Sequence, residues 1–529
     1  MDNKAMTKVL YVPLDERACN YDFPAQLAEM TDDIRLIRPP REWMGFKKRP
    51  ADMDRIWDWL VEEAQACDYA ILSLDTLMYG NIIGSRIHRY TQEECLERLG
   101  RLCELKQRNP HLAIHAFHLV ARVAGYDGSM EDPDYWETQG YNIWRYTILK
   151  DKIQRKEVSE EEVNEHRRLE ALIPEENLAD FLARRKTGLA CGLKCVDMVA
   201  EGVVDVLTIP KDDTFEYGYA AMDQASIARE VRRLKLMNRV MVYPGADEVG
   251  SVLFARVFNL VKGYTPRVYP RYSATTGPFV VPKYEDRPLH EGVKAQITSL
   301  GGVVADHAVE SDCMLAVNAP GKHMIESSEQ YNKDISFSSH INTHEFLRYI
   351  AYYQDRYKRP VGVAEVSVAN GCEREFMEYA NLSGVLERAD AVGGWNTAQN
   401  TIGVVLAQLV IAAYYRDEAP DDRRQKMMEE FTFSCIVRDW LYQSVALHEF
   451  YLHAKGRIEP YELGGHYQET ADYFRENISR LMRENFPAGY RGKKPEITEL
   501  YFDWDGIFYI RLRIGLKGAE KDGEGQVAR

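Results

Sequence analysis

Short runs of β-branched and aliphatic residues alternate along the chain with stretches of helical length, and this alternation limits the fold more than any single motif. The runs "KVLYVPLDE", "DIRLIRP", "DYAILSLDT", "AIHAFHLVAR", "VVDVLTIPKDD", "NRVMVYPGADE" and "PRVYPRYS" lie in the first half. "DCMLAVNAPG", "PVGVAEVSVANG" and "ADAVGGWNTAQN" lie in the second. Strands separated by helices predict an α/β protein with largely parallel sheets. Two doubly wound domains around a cleft fit about ten such strands best. An α/β barrel with insertions is the alternative, because strand number alone does not separate the two; both place a site at the carboxyl ends of the strands.

A chain of 529 residues has room for two or three domains. A break in rhythm at residues 275–286, with a glycine and prolines, divides it into an N-terminal α/β domain, 1–275, and a second one, 276–416. Within the first, residues of about 132–201 read as a helical insertion. Residues 417–529 read as a helical C-terminal region that closes with a hairpin at "WDG". The polar, glycine-containing end "KGAEKDGEGQVAR" is expected to fray, and no internal repeat stands out.

Hydrophobic residues at 45% beside 28% charged argue for a packed globular chain. No uninterrupted apolar run approaches the roughly 20 residues of a membrane helix. The start lacks the apolar segment of a secretory signal, so a cytoplasmic location is expected. A net charge of −15 disfavours nucleic acid as partner, since that affinity comes from clustered Lys and Arg. The expected partner is a small molecule, a sugar above all, with no membrane and an undetermined oligomeric state. Nine cysteines are scattered singly; Cys191 and Cys195 would share a helix face as buried, reduced thiols.

Nearly every predicted strand ends in a polar or charged residue: Asp15 and Glu16, Asp75, Arg122, Asp212 and Asp213, Asp247 and Glu248, Asn318, Asn370 and Asn396. One acid is enough to cap a following helix, so three adjacent acid pairs ask for more. Neighbours at an extended strand end point in opposite directions, which gives Asp212 and Asp213 separate tasks. Converging carboxylates raise the proton affinity of at least one of them, and an acid and a base can so be made from one residue type. In "SLDTLMYGNIIGSR" the tip residue Asp75 is followed by Arg86 in a loop, and Arg122 could bind a carboxylate, a phosphate or a cluster of acids. His115 and His118 would project to opposite faces and make a poor metal pair.

Late in the chain, Glu365, Asn370, Trp395, Asn396 and Asn400 combine an aromatic with amides and a carboxylate, the groups that stack on and hydrogen-bond a sugar. No phosphate-binding loop, dinucleotide fingerprint, nucleophile elbow or zinc-protease pair is present. No cofactor is called for, although oxygen-rich tips also suit Mg²⁺ or Ca²⁺.

The segments "VPLDERACNYDFP", "LDTLMYGNIIGSR", "PKDDTFEYGYAA", "YPGADEVGS" and "GGWNTAQNTIG" together resemble the bacterial domain-of-unknown-function family 4127, a likeness over most of the chain that implies no activity. Locally, "GADEV" resembles the Gly-x-Asp-Glu segment of β-hexosaminidases, and "IPKDD" a strand end in enzymes that remove N-acetylglucosamine from proteins. That likeness implies an acetamide-orienting role for Asp247 and a general-acid role for Glu248.

The expectation is therefore a carbohydrate-active hydrolase, on an N-acetylated amino sugar if the local likeness holds. Asp212, Asp213, Asp247 and Glu248 are its candidate catalytic residues. Asp15, Glu16, Asp75, Arg86, Arg122, Glu365, Asn370, Trp395, Asn396 and Asn400 are its candidate substrate ligands. One alternative is a hydrolase using Mg²⁺ held by Asp15, Asp75, Asp212 and Asp247, with Arg122 receiving an anionic group. Another is a non-catalytic sugar-binding protein.

Overall fold

The computed structural model describes residues 6–518, and the C-terminal run expected to fray lies outside them from residue 519 onward. Six strands, β1 (Thr7–Val12), β2 (Ile34–Ile37), β3 (Tyr69–Ser73), β4 (Ala113–Phe117), β5 (Val206–Lys211) and β6 (Val240–Pro244), form one parallel sheet in the order β2-β1-β3-β4-β5-β6. The chain continues through β7 (Arg267–Tyr272), β8 (Val303–Val304), β9 (Cys313–Asn318), β10 (Ile325–Glu326), β11 (Val361–Glu365), β12 (Val368–Ala369) and β13 (Ala391–Gly393). Of these, β13-β11-β9-β7-β8 make a second parallel sheet, and β10 pairs with β12 beside it. Every residue of β5, β9 and β11 is buried, as in parallel strands covered on both faces, which explains why they are apolar over most of their length.

Counted from its own first strand, the second sheet has the winding 2-1-3-4-5, the same as the first five strands of the first sheet. The architecture is thus two open, doubly wound sheets, and among the described residues neither closes into a barrel. The expected break near residue 275 leaves β7 with the first sheet, yet Val268–Tyr272 pairs residue by residue with Cys313–Val317, in the second. The helices Val249–Lys262 and Ala398–Tyr415 contribute to one continuous core with residues of both sheets. Ala398–Tyr415 is long and apolar enough to cross a membrane, but 89% of that window is buried inside the protein. Its apolar residues face neighbours all round, so no polar stripe is needed.

Helices Trp136–Arg155, Glu160–Leu172 and Glu175–Ala200 form the insertion between β4 and β5, around Trp136, Ile143, Leu149, Leu169 and Phe181. Cys191 and Cys195 sit buried with free thiols on the last of them. The C-terminal helices end in a hairpin of β14 (Lys494–Phe502) and β15 (Ile510–Lys517). At its turn Trp504 takes a left-handed backbone, φ 60°, and this turn reaches back to the tips of the first sheet.

Candidate active site

The residues beyond β1, β5, β6 and β13, the loop after β4 and the turn of the C-terminal hairpin line one cleft. Its wall is mainly polar, and it is partly open to solvent. The cleft thus lies at the carboxyl ends of strands of both sheets, the place where open parallel sheets commonly bind ligands.

Three arginines organise the cleft. Arg17 binds Asp15 through Nη2 at 2.7 Å and Asp247 at 2.6 Å, with Trp504 and Tyr509 over its guanidinium at 4.4 and 4.8 Å. Arg86 forms a fork on Asp212, Nε to Oδ2 at 3.0 Å and Nη2 to Oδ1 at 3.1 Å, and donates from Nη1 to Glu131 at 3.0 Å. Arg122 reaches Asp213 at 3.1 Å, Asp132 at 2.6 Å and Glu131 at 3.3 Å. These contacts match the planar donor array of a guanidinium to planar carboxylates. They leave more carboxylates than cations around the cleft.

The carboxylates differ in proton affinity. Desolvation, reinforced by the neighbouring charge of Asp212, pushes Asp213 up to about 6 against the pull of Arg122. Asp213 also carries a backbone φ of 26°, and its side chain keeps 28% exposure, more than Asp212. Burial alone would raise Glu131, but Arg122, Arg86 and Arg17 outweigh it and hold the group at about 2. The Tyr509 hydroxyl donates to Glu131 at 3.1 Å. Lys211, at the end of β5, is desolvated to about 7, with Arg287 acting in the same direction and its partner Asp286 opposing.

Of the candidates read from the sequence, Asp212, Asp213, Asp247, Arg86, Arg122, Asn396 and Asn400 line this cleft. Asp15 stands just behind it on Arg17. Glu248 does not reach it. Its carboxylate turns under the strand tip, accepting from Gln296 at 2.8 Å and from the Ala246 backbone at 2.9 Å. A side chain at Gly245 or Gly403 would collide with it at 2.2 and 2.3 Å, so both glycines make room for a fully buried glutamate. The general-acid role that the hexosaminidase likeness implied for Glu248 is thereby corrected. Asp247 is committed to Arg17, Asn20 and Asn396, which leaves it no free oxygen for an acetamide. Asn400 spends its Oδ1 on the backbone amides of Ala246 and Asp247, fixing that turn.

Other candidates serve elsewhere. Glu16 accepts from the Trp504 indole at 2.7 Å and anchors the hairpin turn. Asp75 lies in the first turn of the helix after β3, bonded to the Leu119 amide at 2.8 Å and 3.2 Å from His118. Glu365 and Asn370 belong to the second sheet's own tips: Glu365 holds Asn318 and Ser367, and Asn370 donates to Glu326. Trp395 packs against Phe508 and Tyr509 and lines a neighbouring crevice, so the aromatic rings at the cleft are Trp504, Tyr509 and Tyr284. Asp15, Asp75, Asp212 and Asp247 are not gathered around one cation position, because arginines and His118 occupy their oxygens. Among the described residues no three His, Cys, Asp or Glu side chains are placed to hold a metal ion.

Sequence reasoning missed Arg17, Asn20, Glu131, Asp132, Trp504 and Tyr509. A signal existed for two of them: "GYDGSMEDPD" is an acidic, glycine-containing loop directly after a strand tip.

Fold and site define a doubly wound α/β protein with a charged cleft at the strand ends. The family model described as "Protein of unknown function (DUF4127)" matches residues 9–513, and the chain belongs to that family. No curated protein and no solved structure matches it.

Proposed function

We propose that the cleft is the active site of a carbohydrate-active hydrolase that cleaves a glycosidic bond between Asp213 and Glu131. The observation that carries this reading is that both carboxylates contact Arg122 while their proton affinities are pushed apart, to about 6 and about 2. Acid and base assignments follow from such divergence. Asp213, protonated in a useful fraction near neutrality and the more accessible, donates its proton to the leaving oxygen. Glu131, ionised and oriented by Arg86 and Tyr509, faces the positive charge that develops at the anomeric carbon; as the bond to the leaving oxygen breaks, a water adds to that carbon and passes its proton to a carboxylate of the cleft. The substrate's hydroxyls find fixed partners in Asn396 and Tyr284, which line the same cleft.

The test is a screen of aryl glycosides, N-acetylated amino sugars included, on wild type, Asp213→Asn and Glu131→Gln. Each substitution is expected to lower turnover about 10² to 10⁴-fold. Asp213→Asn should lose least on substrates whose leaving group needs no protonation. Hydrolysis that survives both substitutions would end this reading, and ligand binding without turnover would favour a sugar-binding protein.

A further inference from the structure

The second sheet has a topological switch point of its own. The helix after β7, Leu289–Ser299, shares a core with Leu315 and Val317 of β9, while the helix after β9, Thr343–Tyr357, shares one with Met314 and Ala316. Alternate strand residues point to opposite faces, so the two helices cover opposite faces and the chain parts between the ends of β7 and β9. Open parallel sheets leave a ligand crevice at such a point.

A cavity of about 1040 Å³ lies there, partly open to solvent. It is walled by the end of β7 with residues 273–275 after it, by residues 337–343 leading into the helix Thr343–Tyr357, and by the first two turns of the helix Arg374–Leu382. None of these residues also lines the cleft of Asp213 and Glu131, so the proposed hydrolysis leaves the cavity unused. Its volume stands at the top of the roughly 300 to 1,000 Å³ of small-molecule sites, more than one sugar ring or a small anion fills.

The wall is mainly polar, and its charges are paired. Arg271 binds Glu345 at 2.6 Å, and Lys333 binds Glu373 and, at 2.9 Å, Glu375. No cation is left free for an anionic ligand, and each carboxylate has its cation. These groups are nevertheless within reach of a ligand: the side chains of Arg271, Glu345 and Glu375 are 30%, 49% and 65% exposed. Guanidinium or ammonium donors beside carboxylate acceptors are what neighbouring hydroxyls need, since each hydroxyl both donates and accepts. Aromatic rings lie among them. Tyr379 lines the cavity at 56% exposure, and Phe337 lines it half-buried, with Lys333 5.9 Å from its centroid. An exposed ring beside fixed polar groups offers a flat apolar surface on which the face of a pyranose stacks.

We propose that this cavity binds a neutral oligosaccharide. Its ring faces lie against Tyr379 and Phe337, and its hydroxyls bond to the pairs Arg271–Glu345 and Lys333–Glu375. The inference does not rest on the hydrolase reading, since it is measured as binding without turnover.

The experiment is calorimetric titration of the full chain, carrying Asp213→Asn so that no probe is consumed. Cellotriose, maltotriose and N-acetylated chitotriose are the probes, with glucose and glucose 6-phosphate as separate arms. At least one trisaccharide is expected to bind about tenfold more tightly than glucose, because a single ring leaves most of the cavity empty. Ser338→Trp fills the space from an exposed position, and Tyr379→Ala removes a stacking face from another. Each should weaken the trisaccharide about tenfold at an unchanged thermal midpoint. Absence of binding by all three trisaccharides at about 10 mM, a trisaccharide no tighter than glucose, tighter binding of glucose 6-phosphate, or full affinity in both folded variants would each overturn the proposal.

Discussion

The guanidinium of Arg17 grips the carboxylate of Asp247 with two bonds, Nη2 to Oδ1 at 2.6 Å and Nη1 to Oδ2 at 3.1 Å, across 230 residues of chain. The same guanidinium holds Asp15 and lies under the rings of Trp504 and Tyr509. Three distant segments therefore meet on one side chain that is 3% exposed. Arg17→Met should cost about 3 to 5 kcal/mol, because it leaves two buried carboxylates without their cation. Urea denaturation measures this, and a loss below about 1 kcal/mol would show that the bridge is not what joins the segments.

The activity of a general acid at Asp213 depends on pH with a fixed sign. The protonated form works, so kcat/KM is expected to fall as pH rises through about 6, while Glu131, at about 2, stays ionised throughout. In Asp213→Asn this limb should vanish along with most of the rate. A limb that persists in the variant would belong to another group.

Stability should also fall with rising pH. Burial raises Glu16, Glu248 and Glu365 to about 7 and Glu285 to about 8, from an ordinary 4.5. A raised folded value means that the stabilising contribution is complete below about 4.5 and lost as pH climbs through 7 to 8. Lys211, lowered from an ordinary 10.5 to about 7, acts in the opposite sense but only above about pH 7, where it adds stability as pH rises. Thermal midpoints are expected to drop between about pH 4.5 and pH 7.5, and Glu248→Gln should flatten that drop without loss of turnover. A midpoint that rises over this range contradicts the assignment.

Trp504, and not Trp395, should report on a ligand in the cleft. Trp395 touches Phe508 and Tyr509 from the side, so Trp395→Phe should cost about 1 to 2 kcal/mol of packing and keep the fluorescence response. Trp504→Phe should abolish the response. Comparison of the two variants with one binding sugar decides between them.

Exhaustive EDTA treatment is expected to leave turnover and thermal midpoint unchanged, because the tip aspartates already give their oxygens to arginines. Loss of activity restored by a single divalent cation would instead favour the metal-dependent alternative.

The longer strands could be read from local sequence. β5, β9 and β11 are mostly apolar runs because both faces are covered, and "WDG" marks its hairpin because a turn must part β14 from β15. The convergence of tips on one cleft followed from strand direction alone. Which carboxylate faces that cleft did not. Glu248 and Asp247 are neighbours with the same chemistry, and only the packing of the helix Ala398–Tyr415, with Gly403 against Glu248, turns one inward and leaves the other at the site. β7 likewise carries no label for its sheet; its partner is β9, more than forty residues later. Arg17, Glu131 and Trp504 acquire their roles from segments far away in the chain, and charge pairing at such range is set by the assembled fold, which no local pattern encodes.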